Sequence, residues 1–266
     1  MTPLTLVVAR EGFKPPGIDD FDWPNLVDLK LFGIDLGINR VVLQMFLVTG
    51  LVILLMWLGF RRASLVPRGL QNVMESLVDF VRDQIVLETI GREGLRFVPY
   101  LTTLFLFVFL ANIGGIIPLV NFPTTGRMAL PAVMALTSTV LFIAVGMREQ
   151  GGLHYLRNSL FPPEAPAALY ILLTPIELVS TFVIRPVTLA VRLLANMIAG
   201  HLILAVFFAG TAYLLGSRNV TVVFGVGAFL FAVALVAFEL FVAALQAYVF
   251  TILSAVYIAG ALEPEH

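Results

Sequence analysis

The chain has 266 residues, of which 59% are hydrophobic and 12% are charged, and its mean hydropathy is +0.98. This composition lies outside the range of soluble globular proteins and indicates a membrane protein. The formal net charge of -1 argues against a nucleic-acid-binding protein, and the absence of cysteine excludes disulfides, thiolate metal sites and cysteine nucleophiles.

The first 40 residues are predicted to form a water-facing tail. Proline, glycine and aspartate are frequent between Glu11 and Arg40, which argues against a long helix there. The start of the chain has neither the basic residues nor the small-residue cleavage pattern of a signal peptide, so none is predicted. Residues 41–60 carry no charge and are predicted to form the first membrane span, an anchor with Arg61 and Arg62 at the membrane edge.

Residues 65–88 show the pattern of an amphipathic helix. Apolar residues recur at helical spacing on one side, and polar or charged residues occupy the other. The apolar side carries Leu70, Val73, Met74, Leu77, Val81 and Ile85. If this helix lies at the membrane interface, its apolar side is buried and its charges stay in water. The alternative is a solvated helix of the bundle.

Two further apolar segments, residues 97–120 and 128–147, are predicted to be the second and third spans. Within the second span, Asn112 beside Gly114 and Gly115 favours close helix packing and an interhelical hydrogen bond. The third span is followed by a segment that contains the helix breaker PPEAP and is predicted to be a loop.

The last two apolar segments, residues 167–215 and 221–261, are too long to stand upright in a bilayer. About 49 helical residues extend roughly 70 Å, more than twice the roughly 30 Å of the hydrocarbon core. Pro175 and Pro186 are the candidate breaks in the first segment, and no charged turn divides either one, which favours a long tilted hairpin. The predicted fold is therefore all-α: one polytopic membrane domain over residues 1–266, with about five membrane-embedded helices and one amphipathic interfacial helix.

Arginines in the short connections predict the orientation in the cell membrane. Those on one side far outnumber Arg127 and Arg218 on the other, so the positive-inside rule places the first side in the cytoplasm, the N-terminus outside and the C-terminus inside. The arginines of the first side are Arg61, Arg62, Arg68, Arg82, Arg92, Arg96, Arg148 and Arg157. No internal repeat is apparent, which argues against an ordinary secondary transporter.

The first long helix carries Glu177, Arg185, Arg192, Asn196 and His201 at bilayer depth. A charged side chain there costs roughly 2.5–3.5 kcal/mol on insertion scales and is normally functional. Spacings of seven and four residues place Arg185, Arg192 and Asn196 on one face of the helix. Because a guanidinium stays protonated at physiological pH, Arg192 provides a fixed positive charge rather than a proton carrier.

The second long helix carries Glu239 and Gln246, seven residues apart on one face. In an antiparallel hairpin, His201 and Glu239 lie at comparable depth, as do Arg192 and Gln246. Histidine and glutamate can exchange protons near neutral pH when their environments shift them. The pattern predicts a proton-access path that ends at His201 and Glu239, followed by a cationic barrier at Arg192. In the alternative, Arg192 and Glu239 merely neutralise each other in a packed bundle. This alternative is disfavoured, because burying so many polar groups in lipid for stability alone is unfavourable.

The segment from Arg185 to His201, RPVTLAVRLLANMIAGH, closely resembles subunit a of the bacterial rotary (F-type) proton-translocating ATP synthase. Its RLxxNxxAGH core is highly specific, and the resemblance covers nearly the whole chain. Weaker matches are the preceding Pro175-Ile-Glu177, the later Leu245-Gln246 and Val256-Tyr257, the amphipathic helix, and the next span from Pro99 to Pro118.

The resemblance implies that the chain is the static half of a membrane motor, with its hairpin against a rotating ring of c subunits. Arg192 matches the essential arginine that faces the ring carboxylate and blocks leakage between two offset half-channels. Asn196 and Gln246 match polar positions that flank it. His201 and Glu239 match the pair that lines the outer half-channel, a pair that some members carry in the opposite order.

The resemblance also implies a place for Glu177 and Arg185 nearer the cytoplasmic end. The remaining implied partners are peripheral-stalk b subunits, other ATP synthase subunits and the lipid bilayer. The suggested stalk contact is the segment from Pro67 to Glu88. The subunit alone is expected to catalyse nothing and to need no cofactor or metal. One departure concerns the loop before the third span, where many bacterial members have an acidic residue and this chain has Thr124 to Arg127, TTGR.

Several other functions stay open at this point. A sodium-coupled version of the same motor is the nearest alternative, because ion choice depends mostly on the ring. A secondary transporter would use Arg192 to bind an anionic solute. A structural scaffold would tolerate loss of Arg192. An intramembrane enzyme is disfavoured, since neither a nucleophile and base pair nor a metal-ligand motif such as HExxH is present.

Overall fold

The computed structural model describes residue 17, the pairs 30–31 and 34–35, and residues 40–61, 64–116, 124–152, 154–155, 170–216 and 221–262. Within these residues the chain is helical except for turns and one small hairpin. That hairpin pairs β1 (Lys30–Leu31) with β2 (Ile34–Asp35) in antiparallel register, Lys30 opposite Asp35. The all-α prediction is confirmed for the membrane-embedded part.

Within the described residues, the α-helices α1 to α8 follow in chain order, and short 3-10 or π-helical turns join several of them. They are α1 (Arg40–Phe60), α2 (Leu70–Val81), α3 (Leu87–Thr89), α4 (Val98–Ile116), α5 (Ala129–Gln150), α6 (Tyr170–Val179), α7 (Arg185–Gly216) and α8 (Thr221–Leu262). π-helical turns join α2 to α3 (Arg82–Val86) and α6 to α7 (Ser180–Ile184), and 3-10 helices precede α4 (Arg92–Phe97) and α5 (Thr124–Gly126).

Five of these helical segments are long and apolar enough to cross a membrane, as predicted: Val41–Phe60, Arg92–Ile116, Ala129–Gln150, Leu172–Gly216 and Val222–Leu262. The third extends three residues beyond its predicted end at Met147. Residues 117–120 of the predicted second span and 167–169 of the predicted fourth lie outside the described residues. The two long helices are confirmed as helices of 45 and 41 residues, whereas their tilt in a bilayer stays a prediction.

The first long helix does not break at either proline. Pro175 lies inside α6, and the π-helical turn Ser180–Ile184 carries the chain directly into α7. Pro186 follows that turn. In a regular α-helix its ring would clash with the carbonyl of Phe182, which is four residues earlier and within the turn. The wider π turn therefore absorbs the proline without ending the helix.

The amphipathic helix is confirmed in α2, although its apolar side is only partly covered. Met74, Val81 and Ile85 are buried, whereas Leu70 and Val73 remain exposed. The charged side faces outward, and there Arg82 Nε donates a 2.7 Å hydrogen bond to Asp83 Oδ1. This bond lowers the pKa of the exposed Asp83 carboxyl.

The core lies around the second half of α8. Helices α4, α5 and α7 all pack against α8, and α1 packs outside them against α2 and α4. From Ala243 to Ala261 nearly every third or fourth residue of α8 is buried, Phe250 and Ile258 almost completely. Between Val222 and Leu240, by contrast, only Gly225 and Ala232 are buried. The hairpin of α7 and α8 is thus firmly held along one half and mostly exposed along the other.

Replacing Gly146 with Val should destabilise the protein by about 1–3 kcal/mol, because a Cβ at Gly146 would overlap the ring of the buried Tyr155. The free energy of unfolding in detergent would measure this. A matched Gly50→Val variant, in open space on α1, should change it by no more than about 0.5 kcal/mol. Equal stability of the two variants would contradict the packing described.

Candidate functional site

Arg192 projects from the middle of the span Leu172–Gly216 and is exposed, as are its apolar neighbours Val187 and Val191. Among the described residues, no carboxylate lies within ion-pair distance of its guanidinium. A permanent positive charge at this depth requires a partner. The counter-charge of Arg192 must therefore come from outside the described part of the chain.

One helical turn further on, Asn196 joins the two long helices. Its Nδ2 donates a 2.6 Å hydrogen bond to Oε1 of Gln246 on α8. Gln246 is only 4% exposed, and its Nε2 has no hydrogen-bond partner among the described residues. The hairpin therefore places Gln246 beside Asn196, close to the level of Arg192, and leaves one buried donor available.

Glu239 lies against the next part of α7. A Cβ added at Gly200 would overlap Oε1 of Glu239, so the missing side chain of Gly200 makes the space that the carboxyl group occupies. Glu239 is half-buried, and it forms no hydrogen bond or ion pair with any described residue. His201 follows Gly200, and its imidazole is hydrogen-bonded to the backbone of Gly115 at the end of α4.

A small cavity lies between Glu239 and the pair Asn196 and Gln246. Its volume is about 30 Å³, which is enough for one or two water molecules. The polar part of its lining consists of Asn112, Asn196, Glu239 and Gln246, and the rest is apolar. The cavity therefore joins the carboxyl group of Glu239 to the Asn196–Gln246 pair beside Arg192.

Asn112 has a different role from the one expected from its sequence. Its Oδ1 accepts a 3.1 Å hydrogen bond from Thr125 Oγ1 in the 3-10 helix before α5, rather than from a neighbouring membrane helix. Both residues are buried, and Asn112 also lines the cavity. Thr125, in the TTGR loop, is thus one structural support of the site.

Gln44 was missed by the sequence analysis, which treated α1 as a plain anchor. Gln44 is 5% exposed, and neither its Oε1 nor its Nε2 has a partner among the described residues. It lies on the same side of α1 as Val48 and Val52, which pack in one cluster with Leu106 and Ala111 of α4. The signal available in the sequence was a lone amide in an otherwise apolar span.

Arg185 and Glu177 lie toward the opposite end from His201. The guanidinium carbon of Arg185 is 5.4 Å from the ring centroid of Tyr257 on α8. Arg185 also lies near Tyr155, whose pKa is raised by burial despite the opposing effect of the Arg185 charge. In an unbroken α-helix, Glu177 and Arg185 would be about 80° apart around the axis, and the intervening π turn brings them closer to one face.

No group of three or more histidine, aspartate or glutamate side chains within the described ranges could hold a metal ion. The site consists instead of the Arg192 cation, the His201 imidazole, and a water-sized cavity lined by the carboxyl group of Glu239 and the amides of Asn112, Asn196 and Gln246. Such a constellation is typical of ion-translocating membrane proteins rather than of hydrolytic or metal enzymes.

Comparison with known proteins identifies the family. The family model described as ATP synthase A chain matches residues 42–259. ATP synthase subunit a of Frankia alni is 46% identical over 257 residues, covering 96% of this chain and 88% of the relative. That of Rhodococcus erythropolis is 41% identical, covering 97% and 94%. The chain belongs to the ATP synthase subunit a family, which forms the proton-translocating membrane sector of ATP synthase.

The pair Asn196 and Gln246 provides a prediction for a double-mutant cycle. Asn196→Leu or Gln246→Leu alone leaves the other amide unpaired, a cost of about 1–3 kcal/mol, so each should lower the rate of ATP-driven proton pumping about tenfold. The double variant should be no slower than the slower single variant. Thr188→Val, which removes only a hydroxyl bonded to its own helix, is the control. Multiplicative losses would contradict the coupling.

Proposed function

We propose that this chain is the static half of the membrane motor of ATP synthase, with two offset half-channels that deliver protons to the carboxylates of a c-subunit ring. The observation that carries the proposal is the exposed Arg192, which has no carboxylate partner among the described residues. A ring carboxylate that passes this face of α7 would supply the missing charge. Attraction to Arg192 would favour the ionised form of that carboxylate and so release its proton.

The outer path is proposed to run through the cavity. Protons from outside reach Glu239 and His201, and from there the carboxylate of the ring. Support comes from the contact of Glu239 with Gly200 and from the water-sized cavity lined by Glu239 and Asn112. Asn196 and Gln246 hold the end of this path beside Arg192.

The inner path is proposed to pass Glu177 and Arg185. After neutralisation, a ring carboxylate travels nearly a full turn through lipid and returns on the other side of Arg192, where it ionises and its proton leaves to the cytoplasm. Because Arg192 keeps its positive charge, a proton meets electrostatic repulsion between the two paths. Rotation of the ring is the output.

The remaining assembly follows the same proposal. In the bacterial cell membrane, the N-terminus lies on the outer side and the C-terminus on the cytoplasmic side. The charged side of α2 and of the π turn after it, which includes Asp79, Arg82 and Asp83, faces water and is available to peripheral-stalk b subunits. ATP synthesis and hydrolysis take place on other subunits of the complex.

ATP-driven ion uptake tests this function. The assembled complex in sealed liposomes should acidify the interior after ATP addition, at a rate independent of sodium. A requirement for sodium would establish the sodium-coupled version instead. Accumulation of an anionic solute by the chain alone would favour a secondary transporter and count against the motor.

A further inference from the structure

A second site lies at the arginine-rich end of the molecule, apart from the polar path. It is an open cleft of about 380 Å³ between the end of α5 and the 3-10 helix Arg92–Phe97 that leads into α4. Its lining consists of Arg96, Phe97, Val145, Arg148 and Glu149. Helices α4 and α5 both pack against α8, and the cleft lies at one end of this arrangement.

The cleft presents one preorganised guanidinium and one unpaired guanidinium. Arg96 Nη1 lies 2.7 Å from Glu149 Oε1, and the guanidinium carbon of Arg96 lies 4.9 Å from the ring centroid of Phe97. Together these contacts fix Arg96 while leaving other N–H donors available. Arg148 is exposed and forms no ion pair with a described carboxylate. Two arginines and one glutamate give the cleft a net positive charge.

The position of the cleft along the spans identifies its surroundings. The span that contains α4 starts at Arg92, and the span formed by α5 ends at Gln150. The cleft therefore lies at the ends of two candidate spans, where the lipid head groups are expected. From this end, the exposed side of α5 continues into the bilayer as an apolar surface formed by Met147, Val140, Leu136 and Val133.

We infer that this cleft binds the phosphate head group of an anionic phospholipid, with an acyl chain along the exposed side of α5. The guanidinium groups match the charge and hydrogen-bonding geometry of a phosphate diester. The net positive charge favours an anionic lipid over a zwitterionic one, and the apolar face of α5 that begins beside Arg148 favours a lipid over free phosphate.

Lipid occupancy of the purified, assembled complex tests the inference directly. Native mass spectrometry would measure binding of phosphatidylglycerol, phosphatidylcholine and inorganic phosphate in turn. Arg96→Gln combined with Arg148→Gln should weaken phosphatidylglycerol binding roughly ten- to thirtyfold. The matched control, Arg61→Gln with Arg68→Gln, removes two exposed charges that do not line the cleft and should weaken binding less than about threefold. Arg148→Gln alone breaks no ion pair and should still weaken binding.

Several results would overturn the inference. These are equal losses in the two double variants, equal binding of phosphatidylcholine, displacement of the lipid by millimolar phosphate, and a wild-type complex without bound lipid because another subunit fills the cleft. The readout is lipid occupancy rather than pumping. Failure here therefore leaves the proposed proton paths untouched, and failure of those paths leaves this site untouched.

Discussion

Replacing Arg192 with Ala should abolish ATP-driven proton pumping and ATP synthesis in a fully assembled complex. Without the guanidinium, an ionised carboxylate facing α7 loses its counter-charge at bilayer depth, a cost of at least about 2.5–3.5 kcal/mol. That corresponds to at least a roughly hundredfold loss of coupled turnover, which leaves no practical activity. Passive proton leak through the membrane should increase at the same time, because the repulsion between the two paths is gone. Both activities and the leak can be measured in the same inverted membrane vesicles.

Two controls separate the role of this charge from general damage. Arg61→Ala removes an arginine that stacks on Trp57 at the membrane edge and should leave pumping near the wild-type rate. Arg192→Lys keeps the charge but loses the planar fork of donors, so its leak should stay low even if its turnover falls. Retained coupled pumping in Arg192→Ala would refute the barrier and return the chain to a scaffold role.

Replacing Gly200 with Val should reduce proton pumping about ten- to hundredfold. The new Cβ would overlap Oε1 of Glu239, so the carboxyl group must leave its place beside α7 and beside the cavity. The carboxyl group is the end of a flexible side chain and can rotate away, but from its new position it can no longer serve the ring. Pumping rate and the amount of assembled complex are measured together.

Gly210→Val is the matched control for this variant, since it adds the same side chain to the same helix where nothing lies within 4 Å. It should assemble and pump like the wild type. If Gly200→Val pumped equally well, the contact between Gly200 and Glu239 would have no part in proton delivery. If both variants failed, the loss would come from the helix and not from the carboxyl group.

The sequence was sufficient for the broad architecture. Apolar length alone predicts the five spans, and counting residues from the turn of the hairpin predicts that Glu239 lies level with His201 and Gln246 level with Arg192. The structure supports this arithmetic through the Asn196–Gln246 hydrogen bond and the contact of Glu239 with Gly200. These contacts follow from one antiparallel pairing, which is why simple counting succeeds.

Features that depend on packing between separate helices, or on local turns, could not be predicted in the same way. The burial of Gln44 depends on how α1 packs against α4, and the bond of Asn112 depends on a turn that returns from the start of α5. The π turn between α6 and α7 has no periodic signal of its own, since it is a local response to Pro186. The roles of the site residues in proton transfer remain predictions for the variants above.

The uneven burial of α8 has a mechanical consequence. Its second half is clamped in the core, and its first half packs mainly on α7, for example through Phe207 and Phe231 with ring centroids 4.8 Å apart. Such a helix is expected to be stiff in its buried half, its base, and more easily bent toward its exposed end, its tip. Glu239 and Gln246 lie where the clamped half begins. A sideways load on the tip would therefore be absorbed by elastic bending, while the groups at the base keep their positions.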